Sequence, residues 1–375
     1  MLVNRPPMGW NTWNTFGHDC NDQLIRESAD AMVDTGLAKC GYEYIVLDDC
    51  WSKKTRDEVT GRIVPDETKF PNGMKAVSDY VHSRGLKFGM YSCAGIRTCA
   101  DYPGSFDHEF LDAETFADYG VDYLKYDYCY KPTTVDGPTL YHRMGIALEN
   151  CGRDIVFSAC NWGSDDVWHW VRATGAHLYR STGDINDSFV SMRDIAFSQT
   201  DKFCFSGPNC YNDIDMLTVG MYGKGLVGTT GCNDADYRTQ FSLWCMYSAP
   251  LMLGCDIRHM NEETLSLVTN PNLLAINQDP ACRPPVWSNH PYNRDLKVGF
   301  KHLSNGKYAL ALYNLTEKEA EIPVVPDTFG ITAASGYQLK LTDAMTNEYE
   351  GTFREYIRMK VAPHDCRVFL CELVK

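Results

Sequence analysis

The sequence predicts a (β/α)8 barrel of the TIM type followed by a C-terminal antiparallel β-sandwich, and three observations carry that expectation. From Trp10 to about Leu253, short β-rich runs alternate with segments of helical period, the pattern of parallel β/α units. After Asn277-Gln278-Asp279-Pro280 and the loop-like Arg283-Pro284-Pro285, the pattern changes to alternating apolar and polar runs, as in an antiparallel sheet with one solvated face. The chain has 375 residues, 44% of them hydrophobic, which leaves room for a barrel and one smaller domain.

Eight barrel strands are expected, at residues 8–10, 44–47, 87–92, 123–127, 154–159, 178–182, 203–206 and 226–229. Helices fill the gaps. The first, at 22–37, shows Leu24, Ala31 and Val33 as its apolar face and the order Asp22 to Arg26 at its start. Others are expected at 74–83, 112–118, 139–150, 188–198 and 239–248, and later strands at 297–301, 308–313, 337–341 and 367–370. The division falls at residues 1–289 for the barrel and 290–375 for the sandwich.

Composition narrows the function. The net charge is -14 and no stripe of Lys or Arg could neutralise phosphates, so no nucleic-acid partner is expected. No run approaches the ~20 apolar residues of a membrane span, so no membrane partner is expected either. The start MLVNRPPMGW lacks the pattern of a secretory leader, which favours a cytoplasmic location, with a processed secreted form as the alternative. Sixteen cysteines include no C-x-x-C pair and no Cys/His cluster, so no metal and no cofactor are expected. Cys93, Cys160 and Cys245 sit among apolar neighbours and read as small buried thiols. The appended sandwich leaves homo-oligomerisation open.

In a β/α barrel the chemistry belongs at the C-terminal ends of the strands. There the chain places Asp48 and Asp49, Lys125 and Asp127, Arg180 and Asp184, and Asp213 and Asp215. A single Asp reads as a cap or turn residue, but acidic groups at four strand ends point to a site. Lys125 and Asp127 are two apart in a strand and share the interior face. An ammonium beside a carboxylate favours ionisation, which suits Asp127 as a nucleophile; a rim ion pair is the structural alternative. Asp184, after Gly183, is its natural partner as general acid/base. Two carboxyls across an acetal carbon give retention when roughly 5 Å apart and inversion when a water fits between them. Trp10, Trp13, Trp51, Tyr91 and Trp162 fall at strand ends, where their faces could carry a sugar ring.

Five segments together resemble glycoside hydrolase family 27, the family of α-galactosidases and α-N-acetylgalactosaminidases. They are PMGWNTWN at 7–14, LDDCW at 47–51, KYDYC at 125–129, RSTGDI at 180–185 and NDIDML at 212–217. The resemblance spans nearly the whole chain and implies a retaining hydrolase acting on a galactose-containing oligosaccharide or glycoconjugate. It implies Asp127 as nucleophile and Asp184 as acid/base, and assigns the 3-, 4- and 6-hydroxyls to Asp48, Asp49 and Lys125. Trp13 would stack on the ring, Tyr91 and Met216 would line it, and Arg180 and Asp215 would hold further oxygens. Disulfides Cys20–Cys50 and Cys99–Cys129 are implied too, the second flanking the pocket. Asn161, in Ser158-Ala159-Cys160-Asn161-Trp162-Gly163, stands where the family senses the substituent on carbon 2, and an amide there favours galactose over its N-acetyl derivative. The run Pro208-Asn209-Cys210-Tyr211 departs from the family's usual glycines and Trp; Tyr211 would keep an aromatic contact and Cys210 would be a free thiol.

The rival readings are an α-N-acetylgalactosaminidase or β-L-arabinopyranosidase of the same family, a metal-dependent barrel enzyme using the aspartates, and a sugar-binding protein without catalysis. No His appears among the strand-end motifs, and the non-catalytic reading has no need of both Asp127 and Asp184.

Overall fold

The computed structural model describes residues 2–290 and 292–375. Eight short parallel strands form one sheet: β1 (Met8–Asn11), β2 (Tyr44–Val46), β3 (Lys87–Cys93), β4 (Tyr123–Asp127), β5 (Val156–Cys160), β6 (Leu178–Arg180), β7 (Tyr211–Asp213) and β8 (Leu251–Leu253). They are paired in sequence order from β1 to β7, with β8 on the far side of β1. The ring closes just beyond β7, where Leu217 donates to Met252 O at 2.8 Å and accepts from Gly254 N at 2.9 Å. The helices are α1 (Trp13–Phe16), α2 (Asp22–Asp34), α3 (Gly73–Ser83), α4 (Glu109–Tyr119), α5 (Gly137–Asn150), α6 (Phe189–Phe197), α7 (Asp234–Tyr247), α8 (Glu262–Val268) and α9 (Pro271–Asn277). None of the described helices is long and apolar enough to cross a membrane.

Alternation along each strand separates two cores. Tyr44, Val46, Tyr123, Val156, Leu178, Tyr211 and Met252 fill the barrel interior, while Ile45, Leu124, Tyr126, Phe157 and Tyr179 pack outward against the helices. The interior is therefore packed below and polar only at its mouth, where the same inward column continues from Tyr123 to Lys125 and Asp127. Helix α2 begins where expected, with Asn21 capping Leu24 N and Arg26 paired to Asp22 at 2.6 Å. Its buried stripe, however, is Leu24, Ile25, Ser28, Ala29 and Met32, centred to one side of Leu24, so Ala31 and Val33 fall on its two flanks and are only partly buried.

Two expected strands are corrected. Residues 203–206 form a helical turn, Phe203–Phe205, and β7 lies later at Tyr211–Asp213. Phe203 stacks on Tyr247 of α7, with ring centroids 4.1 Å apart, so its apolar run anchors a helix and joins no sheet. Residues 226–229 are a loop over the barrel mouth, Leu226 being half exposed, and β8 is Leu251–Leu253 after α7. A short apolar run alone does not say which core receives it.

Beyond the barrel, β14 (Tyr349–Phe353), β13 (Gln338–Asp343), β16 (Cys366–Val374), β11 (Tyr308–Asn314), β10 (Asn293–His302) and β9 (Val286–His290) form one antiparallel sheet in that spatial order. A two-stranded sheet of β12 (Ala320–Val324) and β15 (Ile357–Val361) faces it across a core of Leu310, Leu312, Ile322, Leu339, Ile357 and Phe369. The other face of the large sheet, with Ala309, Ala311, Tyr313 and Val368, continues the barrel's outer core. Lys301 is fully buried at this seam and donates to Cys245 O, Ser248 Oγ and Ile276 O, the carbonyl ends of α7 and α9. Arg238 of α7 forks onto both oxygens of Asp365 at 3.1 and 2.7 Å.

Candidate active site

A cavity of about 90 Å³ opens at the C-terminal ends of the barrel strands. Its wall is made of Trp13, Asp48, Asp49, Tyr91, Cys99, Lys125, Asp127, Trp162, Arg180, Asp184, Asp215 and Met216, joined by Asn14, Ile185 and Val227. A larger cleft of about 500 Å³ around His142, Arg153 and His177 gathers none of the strand-end residues.

Asp127 is only 6% exposed; its carboxylate accepts Tyr91 Oη at 3.0 Å and the Tyr128 amide at 3.0 Å. Burial pushes its pKa up to about 6, against the pull of the Lys125 ammonium and with a smaller push from Asp48. The Lys125 ammonium does favour the ionised form, as expected, but burial is the larger influence. Lys125 Nζ bonds Asp48 Oδ2 at 2.8 Å, and desolvation outweighs its field at Asp127. Asp48 also receives Asn11 Nδ2 at 2.6 Å, while Asp49 accepts the amides of Cys50 and Ala100, its carboxyl raised chiefly by burial. These bonds fix two carboxylates side by side on the β2 rim.

Asp184 differs in every respect. Its side chain is 78% exposed and its Oδ1 accepts Arg180 Nη2 at 2.8 Å. Desolvation would raise its carboxyl, but Arg180 and then Lys125 outweigh it and hold the group below the usual range. Arg180, buried, also meets Asp215 Oδ2 at 2.7 Å, and burial pushes Asp215 up to about 6. Asp215 has a left-handed backbone (φ 83°) that three bonds stabilise: Asp213 Oδ1 accepts its amide, Trp244 Nε1 donates to its carbonyl, and its carboxylate accepts Ile185 N. Asp213 thus braces Asp215 from behind the wall.

Cys99 and Cys129 form a disulfide beside the cavity; Cys99 reaches the wall and Cys129 anchors it from behind. With Asp127 the two sulfurs make the one metal-like grouping of His, Cys, Asp or Glu among the described residues, but a disulfide offers no thiolate. Cys20 and Cys50 are neighbouring buried thiols instead of the implied bridge, the Cys20 thiol pointing at the carbonyls of Asp49 and Cys50. Cys210 is a buried free thiol, and Tyr211 points into the barrel interior as part of its packing.

Asn161 does not reach the wall. It is fully buried, donates Nδ2 to Ser164 O at 2.8 Å and leaves Oδ1 without a partner among the described residues, so it braces the turn that carries Trp162 into the cavity. Trp10 and Trp51 are core residues, their indoles bonded to Cys255 O and Tyr91 O, which leaves Trp13, Tyr91 and Trp162 as the aromatic surface. Three wall residues were missed. Asn14 and Ile185 adjoin Trp13 and Asp184 in sequence, a signal that strand-end reasoning could have used, whereas Val227 arrives on a loop that sequence alone presents as a strand.

Paired carboxyls in the mouth of a β/α barrel, one shielded and one at the rim, beside clustered hydrogen-bonding groups and aromatic faces, define a glycoside hydrolase. The α-galactosidase A family matches residues 5–279, and the α-galactosidase C-terminal β-sandwich domain matches residues 293–371. The chain belongs to this family, glycoside hydrolase family 27. It is 41% identical to the α-galactosidase of Cyamopsis tetragonoloba over 370 residues, covering 98% of this chain and 86% of that one. α-Galactosidase I from Mortierella vinacea superposes with a TM-score of 0.91 at 30% identity, covering 99% and 97%. The α-galactosidase from Saccharomyces cerevisiae with raffinose superposes at 0.89 with 28% identity, covering 100% and 98%.

Proposed function

We propose that this protein is a retaining α-galactosidase that releases terminal α-linked galactose from oligosaccharides or glycoconjugates. The observation that carries the reading is the contrast between Asp127 and Asp184, two carboxyls in one small cavity, one buried and one exposed and ion-paired to Arg180. Asp127 attacks the anomeric carbon; the electron pair of the breaking C–O bond goes to the leaving oxygen, which takes the Asp184 proton. Asp184 then accepts a proton from water as that water displaces Asp127 and restores the carboxylate. Asp48, Asp49 and Lys125 bind the 3-, 4- and 6-hydroxyls, a rigid arrangement that penalises a misplaced hydroxyl by leaving buried partners unpaired. Trp13 and Met216 line the ring, and Arg180 with Asp215 holds further oxygens of the sugar. Residues 1–289 do this work, and no described residue of 290–375 enters the wall.

The competent form carries one proton on the pair, on Asp184. In the empty site the bias runs the other way, with Asp127 raised and Asp184 lowered. The competent form is therefore a minor partner of a form that predominates only below about pH 6, and substrate binding at Arg180 must release Asp184 from its ion pair.

The test is the initial rate on aryl α-galactoside, aryl α-N-acetylgalactosaminide and aryl β-L-arabinopyranoside side by side, for wild type and Asp127→Asn. Dominant release from the α-galactoside, lost by several orders of magnitude in the variant, is the expected result. A preference for either other sugar moves the specificity within the family; near-native turnover by Asp127→Asn removes the nucleophile assignment.

A further inference from the structure

The loop between β7 and α7 begins with Asp215 and Met216, whose roles are given above, but its later stretch, residues 220–231, has no role in the reaction so far and yet supplies the wall residue Val227. Its chain contains Gly220, Gly223, Gly225, Gly228 and Gly231, and buried Asp187, three residues beyond Asp184, holds it down. The Asp187 carboxylate accepts Gly223 N at 2.7 Å and Tyr237 Oη at 3.0 Å, and its backbone N donates to Val227 O while its carbonyl accepts Gly231 N. The loop is thus stitched directly onto the segment that carries the acid.

Its far side meets α1. Val227 N donates to Asn14 O at 3.1 Å, and a side chain at Gly225 would stand 2.7 Å from Thr15 Cα, which explains a glycine with φ of 82° there. The loop therefore bridges Asp184 to α1 and places Val227 beside Ile185 in the wall. One polar group in this stretch is unused. Asn14 is 2% exposed, lines the cavity, and its Nδ2 is buried with no hydrogen-bond partner among the described residues. A buried amide without a partner costs roughly 1–3 kcal/mol, so a ligand hydroxyl reaching it would gain a bond that the free protein lacks.

An acid protonates the leaving oxygen and so stands on the leaving group's side of the scissile bond. We infer that Asn14, Ile185 and Val227 form the leaving-group subsite, in which the Asn14 carboxamide hydrogen-bonds a hydroxyl of a leaving sugar and the two apolar side chains lie against its ring. The inference rests on the α-galactosidase reading and specifies its substrate, namely a galactoside whose leaving group is itself a sugar.

The experiment compares kcat/KM on raffinose, whose leaving group is a disaccharide, with kcat/KM on α-galactosyl fluoride, whose leaving group has no hydroxyl or ring. In Asn14→Ala the ratio of raffinose to fluoride should fall roughly tenfold, the loss of one hydrogen bond. Val227→Ala, which leaves Asn14 intact, should lower the same ratio by a smaller factor. An unchanged ratio in both variants, or an Asn14→Ala loss shared equally by the two substrates with weaker inhibition by galactose, overturns the assignment and moves Asn14 into the galactosyl pocket. Absence of galactose release from either substrate by the wild type would instead bring down the underlying reaction, and the subsite with it.

Discussion

At the seam between barrel and sandwich, Lys301 is buried among three acceptors and Arg238 is forked onto Asp365, so each charge there has its hydrogen-bonding partners. At the barrel mouth, Asp48, Asp49, Asp127, Asp184 and Asp215 share Lys125 and Arg180 as the cations of the wall, and Asn14 Nδ2 and Arg180 Nε have no partner among the described residues. The seam spends its polar groups on holding two domains together. Neutral donors without a partner among the described residues occur in both regions, Trp287 Nε1 at the seam among them; what sets the mouth apart is its excess of carboxylates, which destabilises the empty protein and becomes useful when a polyhydroxylated ligand enters.

The largest test of this contrast is Asp184→Ala. Turnover of raffinose should fall about a hundredfold further than turnover of an activated aryl α-galactoside, which leaves with little help from an acid. Equal losses would mean that Asp184 only shapes the mouth. Next is the stability of Asp127→Asn. The folded pKa of about 6 lies above the unfolded value, so this carboxyl's contribution to stability is full below about pH 4 and lost as pH rises through 6. The variant should therefore be more stable than wild type by up to about 3 kcal/mol at pH 7 and show no such advantage at pH 4, read from urea midpoints. A variant less stable at pH 7 would show that Asp127 is as well compensated as the seam.

Lys301 probes the other region. Burial lowers its pKa to about 8, below the unfolded value, so between those two values the folded state has already lost a proton that the unfolded state keeps. Wild type should gain up to about 3 kcal/mol relative to Lys301→Met between pH 8 and 10.5. A flat difference would mean that the three acceptors hold the ammonium at no net cost. The smallest effect is on the pH profile. Because the competent pair carries one proton, kcat/KM on the aryl α-galactoside should fall about tenfold per unit above pH 6. A level profile to pH 8 would show that the site's carboxyls are as evenly balanced as the seam's charges.

Much of this molecule was legible before any coordinates. A period of two puts Lys125 and Asp127 on one face whatever surrounds them, and alternation of β and α segments admits few architectures besides a barrel. The strand-end aspartates follow from the same local geometry, since a strand entering a loop at the rim leaves its last inward residue in the mouth.

Tertiary structure decided what depends on partners far away in the chain. Residues 203–206 and 226–229 have strand-like composition, but Phe203 stacks on Tyr247 and Val227 bonds Asn14, more than 200 positions away from it, and neither residue belongs to a strand. Asn161 lies behind the cavity wall and bonds Ser164 O, and Cys20 and Cys50 are both free thiols. The ionisation of Asp127 belongs here too. Lys125, two residues earlier, argues for a low pKa, and only the surrounding fold, by excluding water, raises it to about 6. Sequence determines which groups a strand can present together; desolvation and long-range contacts exist only once the chain has closed on itself, and they set what those groups do.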